Sequence, residues 1–461
     1  MLTLTDILGL IADREFRASS SGGLGRRIAG ACVDSRQARK GFLFIALPGE
    51  RTDGHLFLAD AFGKGASLLL ISRTYYAGHS QELPDADLII VDDTLSALQE
   101  LAGGWRRRHS VKVVGITGSV GKTSTKDMVA AVLSRRFTVL KNEANFNSEI
   151  GLPLTLLNLD ESHQRAVLEM AMYAEGDISL LCRIAGPEIG VVTNVGPSHM
   201  ERLGSLENIC RAKAELVDSL PAAGVAILNA DDELVRSMAG RTGARVILFG
   251  LDRRSDVRAV AICSPGLDRV EFELHLGGQK AHVTLPVPGE HNVLNALGAA
   301  SVGMAEGLSL GEIVDGLEGM RFESRVRLLP GINGSVVIDD SYNASPVSTV
   351  AALNLLSRAV GRKIAVLGDM YELGPFELEA HRQVGRRAAQ VADKLIVVGE
   401  KGKIIGAEAL RCGLAAVAFC SCLAEAADLL TTFLSPSDHV LVKGSRGMHM
   451  EDIVERIKSS C

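Results

Sequence analysis

Residues 111–133, VKVVGITGSVGKTSTKDMVAAVL, run without a break from an apolar stretch through a glycine-rich turn into a helix-forming segment. That order predicts a strand that feeds a tight turn and then a helix N-terminus, the start of a βα unit in a mainly parallel sheet. Gly118 and Gly121 permit close backbone approach, and successive N–H groups together with the helix dipole form a cradle for an anion. Lys122 is placed to reach the β- and γ-phosphates of a nucleotide, Thr123 to offer its hydroxyl to Mg²⁺, and Ser119 and Ser124 complete the loop. The general phosphate-loop pattern has glycine where this chain has Ile116, so a modified loop is expected. A glycine-rich βα turn without a ligand is the other reading. SGGLGRR near residues 21–27 and GEKGKIIG after Val398 do not make a G-x-G-x-x-G fingerprint, which argues against a nicotinamide cofactor.

At 461 residues the chain exceeds one ordinary core, and changes of texture divide it into three α/β parts, 1–109, 110–320 and 321–461. The first carries short β-like runs, GFLFIALPG and ASLLLIS, and ends in the basic stretch Arg106–His109, expected as a solvated linker. The second alternates strands and helices, with a small antiparallel excursion between about 257 and 287 and a closing helix from His291. The third alternates more regularly, from SVVIDDSY to HVLVKGS, as a Rossmann-like doubly wound sheet does. Its loops DDSYNAS, GDMYELG and KGSRG fall beyond strand carboxyl ends, where such sheets bind ligands. A net charge of −6 gives no basic face for a phosphate backbone, so no nucleic-acid partner is expected. The N-terminal stretch lacks a basic n-region and no uncharged apolar run reaches spanning length. A cytoplasmic monomer without membrane insertion is therefore expected. The eight cysteines are scattered without C-x-x-C spacing and are expected as reduced, mostly buried thiols.

The motif GITGSVGKTSTKD, followed by NFNSEIGLPLTLLNL, resembles the Mur ligase family. VLEMAMYAEGDI, VVTNVGPSHMERLGS, RAKAEL, GEHNVLNALGAA, DDSYNASP, LGDMYELG and KGSRG follow in the order of one branch. DSRQARKGFLFIALPGERTDGH is similar to that branch's uridine-substrate domain, so the resemblance spans nearly the whole chain. It implies a uridine-substrate domain, a central ATPase domain and a C-terminal domain for the amine. The implied reaction is an ATP- and Mg²⁺-dependent amide ligation through an acyl phosphate, joining D-alanyl-D-alanine to UDP-N-acetylmuramoyl-tripeptide.

Carried over residue by residue, the resemblance makes Lys122, Glu169, His199 and Lys213 the catalytic set. Thr123, Glu169, His199 and a carbamylated Lys213 would hold two Mg²⁺ ions. His291 and Asn295, one helical turn apart, resemble an adenine-contacting pair, with helix capping as the plainer reading. Arg325, Asp340 and Asn343 resemble residues that close over phosphates and ribose. Ser35, Arg36, Asp53, Gly54 and His55 resemble uridine-substrate motifs, although DGH also reads as a simple turn. Asn147 and Ser148 occupy a substrate-binding motif that commonly carries two adjacent asparagines. Ala171, Tyr173 and Asp177 also depart from the branch's usual sequence. Two other readings are an amide ligase of the same superfamily acting on another acid, and a nucleotide-binding regulatory module. Lys122, Thr123, Glu169, His199 and Lys213 occurring together weigh against the module.

Overall fold

The computed structural model describes residues 2–19, 26–49, 52–143, 145–197, 200–320 and 326–459. The described residues form three sheets, each built with helices, which bears out the α/β class. By backbone contacts the chain groups into two compact units, one of residues 1–115, 137–172 and 176–189, the other of 116–136, 173–175 and 190–461.

The first sheet contains β1 (Arg14–Arg17), β2 (Gly30–Cys32), β3 (Phe42–Ile45), β4 (Leu68–Ser72) and β5 (Asp87–Val91), in the order β1-β5-β4-β3-β2. Its β2 to β5 pairs are parallel, and β1 joins antiparallel to β5, with Phe16 opposite Ile89. The helix Thr94–Arg107 follows, started by the Asp93 carboxylate, which accepts from the N–H groups of Leu95 and Ser96. This helix takes in Arg106 and Arg107 and ends inside the basic stretch expected as a linker. Arg106 turns inward and donates to the carbonyls of Ala185 at 2.6 Å, Val111 at 3.0 Å and Gly186 at 3.3 Å. Beside it, the buried Trp105 indole donates to Leu159 O at 3.0 Å. Arg106 is therefore a structural bolt, because a guanidinium has enough donors to satisfy several carbonyls that chain ends leave behind.

The second sheet has β6 (Lys112–Thr117), β7 (Val139–Lys141), β8 (Arg165–Glu169), β9 (Ile189–Val192), β10 (Val225–Asn229), β11 (Arg245–Gly250), β12 (Val257–Cys263), β13 (Val270–Leu276) and β14 (Gln279–Leu285). Its order is β14-β13-β12-β11-β10-β9-β6-β8-β7. The expected excursion is present: β10, β11 and β12 pair in parallel, whereas β12, β13 and β14 form an antiparallel meander. β14 lies at one edge, where the Glu318 carboxylate of the helix Leu310–Glu318 accepts the Thr284 N–H at 2.8 Å.

The third sheet follows the order β15-β16-β20-β17-β18-β19, from β15 (Arg327–Pro330), β16 (Val336–Asp339), β17 (Lys363–Leu367), β18 (Lys394–Val398), β19 (Val417–Cys420) and β20 (His439–Lys443). Successive strand residues enter opposite cores. Ile338, Leu367, Val397 and Leu441 pack with the helices Pro346–Ser357, Glu377–Val391 and Gly402–Arg411. Val337, Val366, Ile396 and Val440 pack with Leu423–Phe433 and Glu451–Ile457. With helices on both faces, each strand is apolar on both sides, which is why these segments read as continuous apolar runs. β15 lies outside the expected alternation and pairs antiparallel to β16, where Arg327 bonds the buried Asp339 at 2.6 Å.

None of the seven described cysteines forms a disulfide, and Cys263, Cys412 and Cys422 are exposed, so the thiols are less uniformly buried than expected.

Replacing Arg106 with alanine removes three hydrogen bonds, two of them to half-buried carbonyls, and is expected to cost about 2–3 kcal/mol of stability. The neighbouring exposed Arg107→Ala should stay within about 0.5 kcal/mol. Urea denaturation followed by circular dichroism measures both, and equal effects would count against the bolt.

Candidate active site

The strand β6 ends at Thr117 and the helix Lys122–Leu133 begins with Gly121 as its left-handed cap, at φ 85°. Gly118 sits at φ 149°, and a Cβ there would lie 1.9 Å from Thr193 Oγ1. A Cβ on Gly121 would lie 2.5 Å from Asn295 Oδ1. Both glycines are thus required by packing as well as by the turn. The residues behind this packing, Thr193, Asn194 and Gly196, leave β9 and were not singled out from the sequence. Asn194 accepts the Val120 N–H at 2.9 Å through Oδ1 and donates to Val120 O at 2.8 Å through Nδ2. Its carbonyl accepts the Ser119 N–H at 3.0 Å, while Thr193 Oγ1 donates to Val120 O at 2.7 Å. The Ser119 hydroxyl is turned to Gly196, 2.9 Å from its N and 3.0 Å from its O. The N–H groups of Ser119 and Val120 are thus engaged by the protein. The N–H groups of a helix's first turn lie outside the intrahelical ladder, so an anion bound at this turn would take those of Lys122–Ser124.

Lys122 folds back over the loop, with Nζ 2.9 Å from Gly118 O and 3.3 Å from Ser119 O. Lys213, on the helix Leu206–Asp218, is fully buried. Burial, with the Lys122 charge adding to it, holds its amine well below the ordinary lysine range. A neutral amine is nucleophilic, which is the state a carbamate requires for its formation.

At the end of β8 the carboxylate of buried Glu169 is held by Asn147, whose Nδ2 donates to Oε1 at 2.8 Å. The Asn147 carbonyl in turn accepts the Ala171 N–H at 2.9 Å. Asn142, also missed in the sequence, bonds the Glu169 main chain on both sides, accepting N–H at 2.9 Å and donating to C=O at 3.0 Å. Ser148 does something different from a second asparagine: its Oγ lies 3.4 and 3.5 Å from the N–H groups of Ile150 and Gly151, at the start of the helix Gly151–Leu156. Thr123 and Glu169 are hard oxygen donors of the kind Mg²⁺ takes, so the residues present fit that ion. His199 and Arg325 lie outside the described residues.

On the helix His291–Ala305 the two residues expected to act together diverge. Asn295 is buried; its Oδ1 is 3.2 Å from Thr125 Oγ1 and its Nδ2 donates to Asn292 Oδ1 at 2.9 Å, which commits it to supporting the phosphate-loop helix. Asn292, the second residue of this helix, donates to Pro288 O at 2.8 Å, and the helix has no side-chain cap. The His291 ring reaches solvent yet is closely flanked by protein. That desolvation, with the Lys443 ammonium adding its charge, pushes the imidazole down to about 4. His291 is thus brought near the third sheet, where Lys443 of KGSRG, buried and absent from the expected set, ties the DDSYNAS loop together. Its Nζ lies 2.7 Å from Asp340 Oδ2 and donates to Asn343 O at 2.7 Å. Asn343 Oδ1 accepts from Ala344 N at 2.9 Å and Arg446 N at 3.3 Å.

In the first sheet's loops, Asp34 caps the short turn Ser35–Gln37, Ser35 is buried, and exposed Arg36 pairs with Asp34 at 2.7 Å. Asp53 caps Gly54–Phe57. His55 is buried, with Nε2 accepting the Ser72 N–H at 2.9 Å and Nδ1 2.6 Å from Asp53 Oδ1. A Cβ on Gly54 would meet Leu47 backbone at 2.8 Å. RTDGH thus builds a rigid turn, and among Asp53, Gly54 and His55 the side chain it leaves most open is Asp53, at 45% exposure against 2% for His55.

Comparison with known proteins adds three family matches: the Mur ligase middle domain over residues 116–303, the Mur ligase glutamate ligase domain over 321–446 and the Mur ligase family catalytic domain over 27–106. UDP-N-acetylmuramoyl-tripeptide--D-alanyl-D-alanine ligase of Bacillus subtilis is 37% identical, covering 94% of each chain. The Escherichia coli protein of the same name is 35% identical, covering 93% of each. Among solved structures, MurF from Acinetobacter baumannii superposes with a TM-score of 0.85 at 31% identity, covering 98% of both chains. MurF from Thermotoga maritima in complex with ADP gives 0.80 at 28% identity over 93% of this chain and 96% of that one.

Asn194→Ala removes two hydrogen bonds to Val120. At about 1 kcal/mol each it should weaken ADP binding roughly 10- to 30-fold in calorimetry. An unchanged affinity would mean that the loop holds its shape without this brace.

Proposed function

The chain belongs to the Mur ligase family, and we propose that it joins D-alanyl-D-alanine to UDP-N-acetylmuramoyl-tripeptide with cleavage of ATP to ADP and phosphate. The observation that carries the reading is the braced glycine turn with Lys122 folded over it, within a chain that matches MurF proteins over 94–98% of its length. A carboxylate is a poor electrophile in water, so its oxygen first attacks the γ-phosphorus, ADP leaves, and an acyl phosphate forms. The dipeptide amine then attacks the acyl carbon, phosphate departs from the tetrahedral intermediate, and the ammonium proton is lost. Lys122 supplies positive charge where negative charge accumulates on the transferring phosphoryl. The helix turn Lys122–Ser124 orients the phosphates, and Gly118 and Gly121 keep the backbone close enough to do so. Bound Mg²⁺ would offset the repulsion between carboxylate and triphosphate. The residues assigned to two such ions are Thr123, Glu169, His199 and, as a carbamate, Lys213.

Residues 1–109 are assigned to the uridine substrate, 110–320 to ATP and 321–461 to the amine. Arg325, Asp340 and Asn343, the latter two positioned by Lys443, are assigned to the nucleotide's phosphates and ribose, and His291 to its adenine. The reaction is assigned to the cytoplasm as part of this proposal because its substrates are water-soluble nucleotide precursors; none of the described helices is long and apolar enough to cross a membrane.

With both substrates and ATP, purified protein is expected to release ADP and give an amide of the combined mass, scored by mass spectrometry with the lysine- and the diaminopimelate-containing tripeptides. Lys122→Ala should lower the rate at least 100-fold. ADP release without an amide, or full turnover by Lys122→Ala, would refute the assignment.

Lys213→Ala should be nearly inactive and partly restored by formate or acetate, small carboxylates that can enter the space of the missing carbamate. Restoration by chloride to the same degree would remove the case for a carboxylate there.

A further inference from the structure

β7 pairs in parallel with β8 only as far as Lys141 opposite Val167. One more step of that register leads toward Glu169, but the backbone turns away at Asn142. The Asn142 carboxamide takes over the missing strand's bonds, accepting the Glu169 N–H at 2.9 Å and donating to the Glu169 carbonyl at 3.0 Å. The same Nδ2 donates to Phe146 O at 2.8 Å, immediately before Asn147, whose amide holds the Glu169 carboxylate at 2.8 Å. Asn142 is itself buried, at 1% exposure, so little solvent is at hand to replace these bonds.

From this bracket we propose that Asn142 is a positioning residue for the metal–nucleotide site. One side chain sets both the backbone from which Glu169 projects and the loop that delivers Asn147 to its carboxylate. A side chain does this better than a continued strand would. A longer β7 would pair the Glu169 backbone but carry the chain past it, leaving no return of residues 145–147 to the carboxylate. The inference rests on the assignment of Glu169 to Mg²⁺, and it adds that the site's affinity for the ion is set outside the ligands themselves.

The test uses the full chain with Mn²⁺ as the probe and ADP present, so that metal affinity is read by electron paramagnetic resonance without turnover. Half-saturation for Mg²⁺ in the ligation assay is measured alongside. Asn142→Ala is expected to weaken Mn²⁺ binding about tenfold and to raise the Mg²⁺ requirement similarly, while kcat at saturating Mg²⁺ returns to within about threefold of the parent. Asn147→Ala, which touches the carboxylate and leaves the strand bracket intact, should move the same two readouts in the same direction. If Asn142→Ala does not fold, Asn142→Ser, which keeps a polar group there but cannot span all three bonds, is measured in the same way and is expected to show the same two changes. Glu169→Gln separates the premise from the inference. If it leaves Mn²⁺ affinity unchanged, the assignment of Glu169 fails. If it weakens Mn²⁺ while a folded Asn142→Ala binds the ion like the parent, or loses kcat with no change in metal requirement, the bracket has no positioning role.

Discussion

The arrangement depends first on the contact between the glycine turn and the segment that leaves β9. A phosphate loop must hold its peptide groups in one orientation with no side chains of its own at the critical points, so the order has to be imposed from outside. Here Asn194 and Thr193 impose it by capturing both polar atoms of Val120, and Ser119 extends the seam to Gly196. Because such bonds form where water is largely displaced, leaving one unmade costs more than making it gains, which favours a single loop geometry. Gly118 is the geometric counterpart of this seam, since only hydrogen fits between its backbone and Thr193.

Charge is arranged around the loop with the same economy. Burial, with the nearby Lys122 charge adding to it, depresses the proton affinity of Lys213. In the third sheet the opposite strategy is used: the buried Lys443 is neutralised at once by Asp340, and the pair fixes the shape of a loop. Lys213 and Lys443 are buried alike, yet one is a depressed amine beside a like charge and the other the cation of an ion pair.

Much of this was legible in the order of residues. The alternation of 336–443 was readable because both faces of those strands are buried, which leaves long apolar runs. The strand, glycine turn and helix of residues 112–133 were readable because their requirements are local and fall within one short segment. β15 escaped because four residues ending in proline carry too little pattern, and they pair antiparallel against the trend. Asn194 and Asn142 escaped for another reason: their partners lie 74 and 27 residues away, and an asparagine gives no sign in sequence of whether it faces water or another strand's backbone. Asn295 shows the limit of helical spacing as a guide. It is one turn from His291, yet its amide supports the loop helix while His291 faces the third sheet's side.

The ends of the sheets have a consequence of their own. Five of the six outermost strands, β1, β2, β7, β15 and β19, are only three or four residues long. The sixth, β14, has seven residues, and there Glu318 takes up the Thr284 amide. Unsatisfied strand rims are the usual template on which one molecule recruits another into insoluble assemblies. A chain with twenty strands among its described residues has kept such templates short or covered, a form of protection against clumping that owes nothing to its chemistry.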